Sequence, residues 1–286
     1  MSRPKTSSSR KPLSLNKLVL PGTVWVASDI HLGPHNPATA QAFYRFLEHA
    51  AQQADALLLC GDIFEAWIGD DLAIDSPPPW LAEAVQHLQQ CASRTALWLG
   101  RGNRDFLMGQ ALAHHLGARL LPDSVVIETA ADRVLVSHGD EYCTDDLAYQ
   151  RFRHWVRQPW LQRVFLGLSL KARQALARWA RSRSRRGNAR KMSEIMDVNA
   201  TSIERAFARH GVALMVHGHT HRPARHDHAV QGKPCVRFVL PDWDAEASPP
   251  RGGWLSIDSD GLTLHQNHNH SNTTAPSAMR YQANGR

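Results

Sequence analysis

The amino-acid sequence predicts an α/β fold that carries a helical insertion. Three observations point there. Short apolar runs recur and stop abruptly at polar, glycine-containing clusters, the pattern of buried strands. Segments of helical periodicity lie between these runs, and alternation of strand and helix implies an α/β architecture. Residues 147–193 then break the rhythm, with thirteen Lys or Arg and no Asp or Glu.

The bulk composition suits such a domain. A chain of 286 residues, 43% hydrophobic and 21% charged, can build a sizeable core, and wholesale disorder is excluded. No apolar run approaches the roughly 18–20 residues of a membrane-spanning helix. The start is basic and polar (Arg3, Lys5, Arg10, Lys11, Lys17), and Pro21-Gly22 breaks its one apolar stretch, which argues against a secretory signal. Cys60, Cys91, Cys143 and Cys235 are widely spaced with no CxxC pair. That excludes a disulfide scaffold and a zinc ribbon, and points to a reducing, intracellular setting.

The elements follow in order. Residues 1–20 read as a disordered N-terminal extension. A strand at 24–27 runs into Ser28-Asp29-Ile30-His31, and residues 38–53 read as a helix. A strand at 57–60 runs into Gly61-Asp62, and residues 80–90 form a further helix. Strands at 97–99, 134–136 and 214–216 lead to Gly102-Asn103-Arg104-Asp105, Ser137-His138-Gly139-Asp140 and His217-Gly218-His219-Thr220-His221. Residues 235–240 and 254–257 read as strands of a second sheet. Residues 266–286, rich in Asn, Ser, Thr and Ala, read as a disordered tail. The core thus spans 21–140 and 195–265, around an insertion at 141–194.

Within the insertion, Trp160, Leu161, Val164, Phe165 and Leu168 have helical spacing, as do Ala172, Leu176, Trp179 and Ala180. Pro159 fits a first helical position. Residues 182–188 read as a loop. Basic residues interleaved with Trp, Phe and Leu suggest a lid that meets an anionic and apolar partner. A solvated hairpin packed on the core is the plain alternative.

The five strand ends carry the chemistry. Asp29 and His31 are two apart, so on an extended segment both point the same way. Asp62 follows a glycine, which lets the backbone come close to an ion. Asn103 offers a neutral oxygen and His138 an imidazole, and His219 and His221 repeat the two-apart spacing. These seven donors exceed what one four-ligand site needs and suit two divalent ions sharing Asp62. The absence of sulfur disfavours structural zinc. The mixture suits manganese, iron or zinc, with manganese preferred on hardness. His217 either orients a ligand or is structural, and Asp105 and Asp140 either orient their neighbours or cap turns.

The ordered words Asp-x-His, Gly-Asp, Gly-Asn, His-Gly-Asp and Gly-His-x-His resemble those of the calcineurin-like metallophosphoesterase family, over residues 24–222. That resemblance implies a two-sheet β-sandwich flanked by helices. It implies one metal at Asp29, His31, Asp62 and His221, and another at Asp62, Asn103, His138 and His219. Many members follow Gly-Asn with a histidine that protonates the leaving group. Arg104 stands there instead, which implies charge stabilisation or a leaving group, such as a pyrophosphate's phosphate, that needs no acid.

Longer words surround the ligands. They are Gly61-Asp62-Ile63-Phe64-Glu65-Ala66-Trp67-Ile68-Gly69-Asp70-Asp71, Gly102-Asn103-Arg104-Asp105-Phe106-Leu107, Cys143-Thr144-Asp145-Asp146, Ile195-Met196-Asp197-Val198-Asn199 and His217-Gly218-His219-Thr220-His221-Arg222-Pro223. They are similar to those of the UDP-2,3-diacylglucosamine hydrolases, over residues 24–257. This resemblance implies splitting of the pyrophosphate into UMP and 2,3-diacylglucosamine 1-phosphate in lipid A biosynthesis, by metal-activated water attacking the uridine-side phosphorus. It implies catalysis by Asn103 and Arg104, and substrate contacts from Asn103, Arg104, Asp146, Ser184, Asn188, Lys191 and His219. It also implies two Mn2+ ions and peripheral attachment to the anionic cytoplasmic face of the inner membrane, with no nucleic acid partner. Pro241-Asp242-Trp243-Asp244 departs from the family pattern.

An acylated substrate matches the insertion's chemistry. Trp155, Trp160, Leu161, Phe165 and Trp179 are candidates to line an acyl chamber or touch a bilayer, where each buried methylene contributes about 0.8 kcal/mol. Lys191 is a candidate phosphate or sugar contact. The alternative reading is a dimetal pyrophosphohydrolase or phosphodiesterase acting on soluble nucleotides, which needs no apolar surface.

Overall fold

Strands that are apolar on both faces must be covered on both sides, and the chain meets this demand with four layers. The computed structural model describes residues 17–188, 197–266 and 279–283. In chain order these form β1 (Lys17–Val19), β2 (Val24–Ala27), α1 (Pro37–Gln53), β3 (Ala56–Cys60), α2 (Asp71–Ile74), α3 (Pro79–Ala92), β4 (Ala96–Gly100), α4 (Gln110–Leu116), β5 (Arg119–Leu120), β6 (Ser124–Glu128) and β7 (Arg133–Ser137). There follow α5 (Leu147–Val156), α6 (Pro159–Leu166), α7 (Leu170–Asn188), α8 (Ala200–His210), β8 (Leu214–His217), β9 (Ala224–Val230), β10 (Lys233–Val239), β11 (Gly253–Asp258), β12 (Gly261–Gln266) and β13 (Met279–Gln282).

One sheet runs β1-β6-β7-β8-β10-β9 and the other β13-β12-β11-β2-β3-β4-β5. Alternate side chains serve opposite faces. Val24, Val26, Leu58, Val134, Val136, Leu214, Val216 and Phe238 fill the space between the sheets. Trp25, Leu57 and Leu59 turn outward onto Phe43, Leu47, Leu81 and Leu88 of α1 and α3. Leu135 and Met215 turn outward onto Ile203 and Phe207 of α8. This is the two-sheet, helix-flanked architecture of the sequence reading.

Three expectations are corrected. The strands expected at 235–240 and 254–257 form no sheet of their own: β10 joins one sheet beside β8, and β11 joins the other beside β2. Both ends expected to be disordered contribute a strand, β1 paired with β6 and β13 paired with β12. Residues 182–188 continue α7 rather than forming a loop. Arg is a good helix former, and extending a nucleated helix through Ser and Gly costs far less than starting one.

Between β7 and α8 the chain makes α5, α6 and α7. Pro159 occupies the predicted helix start. Neither α5 nor α6 buries any residue fully. Exposed large apolar side chains concentrate here: Leu147, Phe152, Trp155, Trp160, Val164, Leu166, Leu168, Leu176 and Trp179, against only Val19, Ile74 and Met279 elsewhere among the described residues. Among the described residues, Arg173 ties α7 to the core. Arg173 is buried and donates to the carbonyl of Ile68 at 2.6 Å and to both carboxylate oxygens of Asp71. Among the described residues no helix is long and apolar enough to cross a membrane.

Candidate active site

β2, β3 and β4 run parallel, as do β7 and β8, so their C-terminal ends meet at one edge of the sandwich. The ends are laced together. The amides of Asp29 and His31 donate to the carbonyls of Gly61 and Asp62 at 3.1 and 2.9 Å, and that of Gly218 to His138 at 2.9 Å. Gly61 and Gly102 let two loops touch. A Cβ on Gly102 would lie 2.5 Å from the Asp62 amide nitrogen, and Gly61 has φ +97°.

The backbone at this edge is strained. Among the described non-glycine residues, positive φ occurs at Asp29, His31, Asp62, His219 and His221, each between 52° and 68°, and otherwise only at Gln231. Such residues cost of order 1–3 kcal/mol each and persist at functional sites. Five of the seven predicted donors are held this way.

The side chains converge in two groups: ligand atoms of Asp29, His31 and His221 lie within 4.8 Å of one another, as do those of Asp29, Asp62 and His138. On one side, Asp62 Oδ2 lies 3.9 Å from His31 Nε2, which lies 3.4 Å from His221 Nε2, itself 3.3 Å from Asp29 Oδ1. On the other, Asp62 Oδ1 lies 3.7 Å from His138 Nε2. Asn103 Oδ1 faces His138 Nε2 at 3.1 Å and His219 Nδ1 at 3.0 Å. All seven predicted donors are therefore brought together.

Electrostatics fit these residues to divalent cations. Burial and neighbouring positive charge hold His31 and His219 down at about 4, so their rings are neutral, the form in which imidazole can take a metal. Burial pushes Asp62 up to about 7. Burial opposes charge on His138, yet Asp62, Asp29 and Asp140 outweigh it and push the ring up to about 9. The field that holds a proton there also attracts a metal ion. Burial also favours a proton on Asp29, but the His221 hydrogen bond and the His138 charge hold it far below the carboxylate range. Asp29 Oδ1 is buried, and only the 3.3 Å approach of His221 Nε2, short of a well-formed hydrogen bond, meets it, although buried polar atoms demand a partner. The donor set and this under-satisfied oxygen fit a site for divalent ions.

The surroundings resolve the residues left open above. Asp105 accepts from the amides of Ile63 and Gly102 at 2.7 Å each and of Asp62 at 3.2 Å, so it fixes the two ligand loops against each other. Asp140 accepts from Tyr149 Oη at 2.5 Å and Arg153 Nε at 2.8 Å. The Tyr149 ring stacks near His219, with centroids 6.1 Å apart. His217 lies 2.9 Å from both the Gly218 carbonyl and an Arg237 guanidinium nitrogen. Arginine can only donate, so the His217 Nδ1–H faces Gly218 and steadies the loop towards His219.

Arg104 borders the group. Its amide donates to Asp62 Oδ1 at 2.8 Å, and its guanidinium lies 3.6 Å from Glu65. Sequence reasoning missed Tyr149, Arg157, Glu65 and Asp242 as neighbours of the site. Glu65 sits within a quoted word and Asp242 within the departing segment, and both were readable only as words. Among the remaining predicted contacts, Asp146 caps α5, accepting from the Tyr149 amide at 3.0 Å. Ser184 and Asn188 lie on the last turns of α7, their side chains outside the described residues. Lys191 lies outside them altogether.

The family profile of calcineurin-like phosphoesterases matches residues 22–223. A UDP-2,3-diacylglucosamine hydrolase of Bordetella parapertussis is 57% identical over 249 residues, covering 87% of this chain and 96% of that one. Its namesake in Pseudomonas paraeruginosa is 44% identical over 240 residues, covering 84% and 96%. That of Serratia proteamaculans is 41% identical over 247 residues, covering 85% and 98%. The chain belongs to the calcineurin-like phosphoesterase family and, within it, to the UDP-2,3-diacylglucosamine hydrolases.

Proposed function

We propose that this enzyme hydrolyses the pyrophosphate bond of UDP-2,3-diacylglucosamine to UMP and 2,3-diacylglucosamine 1-phosphate, a step of lipid A biosynthesis, with water attacking the uridine-side phosphorus. The observation that carries the proposal is the convergence of seven metal donors beside an insertion whose surface is apolar and basic. Asp29, His31, Asp62 and His221 would hold one divalent ion, and Asp62, Asn103, His138 and His219 the other, with manganese preferred. Such ions supply electrostatic stabilisation of phosphoryl oxygens and a lowered pKa for water.

The chain's own groups do the rest. Arg104 neutralises charge gathering on the phosphoryl oxygens; its Nε is buried without a partner. Asn103 is held by the Gly102 turn and Asp105. A sugar phosphate is a good leaving group, which accounts for Arg104 where relatives with poorer leaving groups need a histidine. Tyr149, fixed by Asp140, closes the His219 side.

The insertion acts as a lid that takes up the acyl chains and rests on the cytoplasmic face of the inner membrane. Its exposed tryptophans enter the interface, and each nearby Lys or Arg adds about 1 kcal/mol of attraction to anionic lipid. Asp146, Ser184, Asn188 and Lys191 are proposed substrate contacts, and nucleic acid is not a partner. The soluble-nucleotide alternative is not favoured, since it gives this apolar surface no task.

The test is turnover of UDP-2,3-diacylglucosamine against UDP-N-acetylglucosamine, with manganese and oxygen-18 water. Labelled UMP from the first substrate alone supports the proposal. Equal turnover of both, or label in the sugar phosphate, refutes it.

A further inference from the structure

The two metal positions differ in what stands behind their imidazoles. His31 and His221 present Nε2 to one position and turn Nδ1 outward. Behind His31 Nδ1 lies Glu65 Oε2, at 3.6 Å. Behind His221 Nδ1 lies Asp242 Oδ2, at 3.8 Å. Both distances are longer than a hydrogen bond, yet each outer ring nitrogen faces a carboxylate oxygen within 4 Å. Asp242 is buried and held, with Arg251 donating to its Oδ2 through Nε and a terminal nitrogen at 3.2 and 3.0 Å. The amides of Leu240 and Trp243, on either side, donate to the carbonyls of His217 and Asp29 at 2.8 and 3.0 Å. The departing segment after β10 is thus built into the back of the site.

Among the described residues the other position has no carboxylate facing an outer ring nitrogen, although buried Asp140 acts on His138 and His219 from further away. His138 Nδ1 meets a neutral group, the Cys60 carbonyl, at 3.1 Å. His219 spends Nδ1 on the site itself, facing Asn103. Among the direct donors, Asp29 lies within ligand reach both of His31 and His221 and of Asp62 and His138, so the difference rests on the groups behind the imidazoles and on the neutral amide at the second position. A carboxylate behind a ligating imidazole fixes its orientation and raises its basicity, and more negative ligand charge binds a cation more tightly.

We infer that the two positions hold their ions unequally. The position of Asp29, His31, Asp62 and His221 is the tight one, that of Asp62, Asn103, His138 and His219 the loose one, and Glu65 and Asp242 are positioning residues that set the difference. The inference rests on the dimetal reading above. It makes the ion beside Asn103 the exchangeable one, so that free metal concentration controls activity through a single site.

The test uses manganese-loaded enzyme dialysed against graded free Mn2+, with bound ion counted by mass spectrometry. Two release steps are expected, the loose one at free Mn2+ at least about tenfold above the tight one, and Asn103→Ala should remove only the loose step. Glu65→Gln and Asp242→Asn should each weaken the tight step by about 10–100-fold and shift the loose step much less. Circular dichroism checks that each variant folds. Glu65 is partly exposed, so Glu65→Gln carries the test even if Asp242→Asn does not fold. Coincident steps in the wild type, or equal shifts of both steps in the variants, overturn the inference. A wild-type enzyme that retains no ion at any level sinks the dimetal reading itself.

Discussion

Arg157, the residue that ends α5, donates to the carbonyl of Gly102 at 3.2 Å, the peptide that delivers the Asn103 amide. The same guanidinium reaches the Arg101 carbonyl at 3.4 Å and pairs with Asp123 at 2.8 Å. The insertion and the Asn103 loop therefore share one hydrogen-bonding group. Displacement of about 1 Å at a reacting centre can cost about a hundredfold in rate. Arg157→Ala should lower kcat by about tenfold or more while the protein stays folded. Unaltered kcat in steady-state assays would show that the two parts are independent.

Asp105 collects four backbone donations, two of them at 2.7 Å, at a wholly buried position. Removing the acceptor strands those amides, at about 1–3 kcal/mol for each unsatisfied group. Asp105→Ala should lose about 3 kcal/mol or more in urea unfolding, and Asp105→Asn less, since it keeps one acceptor. Equal stability of all three proteins would contradict the clamp.

The Asp71–Arg173 pair gives a pH signature. The Arg173 hydrogen bond holds the Asp71 carboxyl below its ordinary value. A depressed carboxylate stabilises the fold above its unfolded value, near about 3.9, and that stability is lost as pH falls through the folded value. Wild type should exceed Asp71→Asn in unfolding free energy at pH 5–7, and the gap should close in acid below about pH 4. Asp71 is well exposed, so solvent screening keeps the gap modest. A gap that is the same at pH 3 and pH 7 would contradict this account.

Asp62 faces both donor groups. Asp62→Ala should strip both ions and nearly all turnover, read by elemental analysis beside the rate. One ion retained at full occupancy would show that the carboxylate is not shared.

Trp155 and Trp160 are each more than half exposed, on α5 and α6. Replacing both with Ser should leave thermal unfolding within about 0.5 kcal/mol. It should reduce adhesion to anionic vesicles and raise KM for the diacylated substrate several-fold. Unchanged adhesion and KM would return the insertion to the role of a packed hairpin.

The donors of the site were legible because each sits at the end of its own apolar strand, where composition changes within two residues. Val24–Ala27 before Ser28-Asp29 is such a case, and Leu214–Val216 before His217 another. The strands β2 and β3 were equally readable, as short apolar runs that are buried along their whole length. β1 and β13 were not, being three and four residues long and existing only through pairing. Nor did anything local distinguish Ser182–Asn188 as helix. Asp242 meets His221, and Arg157 meets Gly102, only after distant segments have folded together, so neither pairing leaves a mark along the chain. The left-handed backbone at Asp29 or His219 is silent for the same reason: side chains of this kind do not announce it, as a glycine would.

Those left-handed positions set the terms on which the site can decay. At Asp29, His31, Asp62, His219 and His221 the backbone would be easier with glycine, and what the side chains hold justifies the strain. Alanine there keeps the strain and loses the donor, so it is the poorest exchange. A lineage released from the need for turnover gains stability by drifting to glycine or asparagine at these five places. A duplicated copy that has lost its chemistry should therefore carry a spectrum of replacements unlike that of an ordinary buried polar residue.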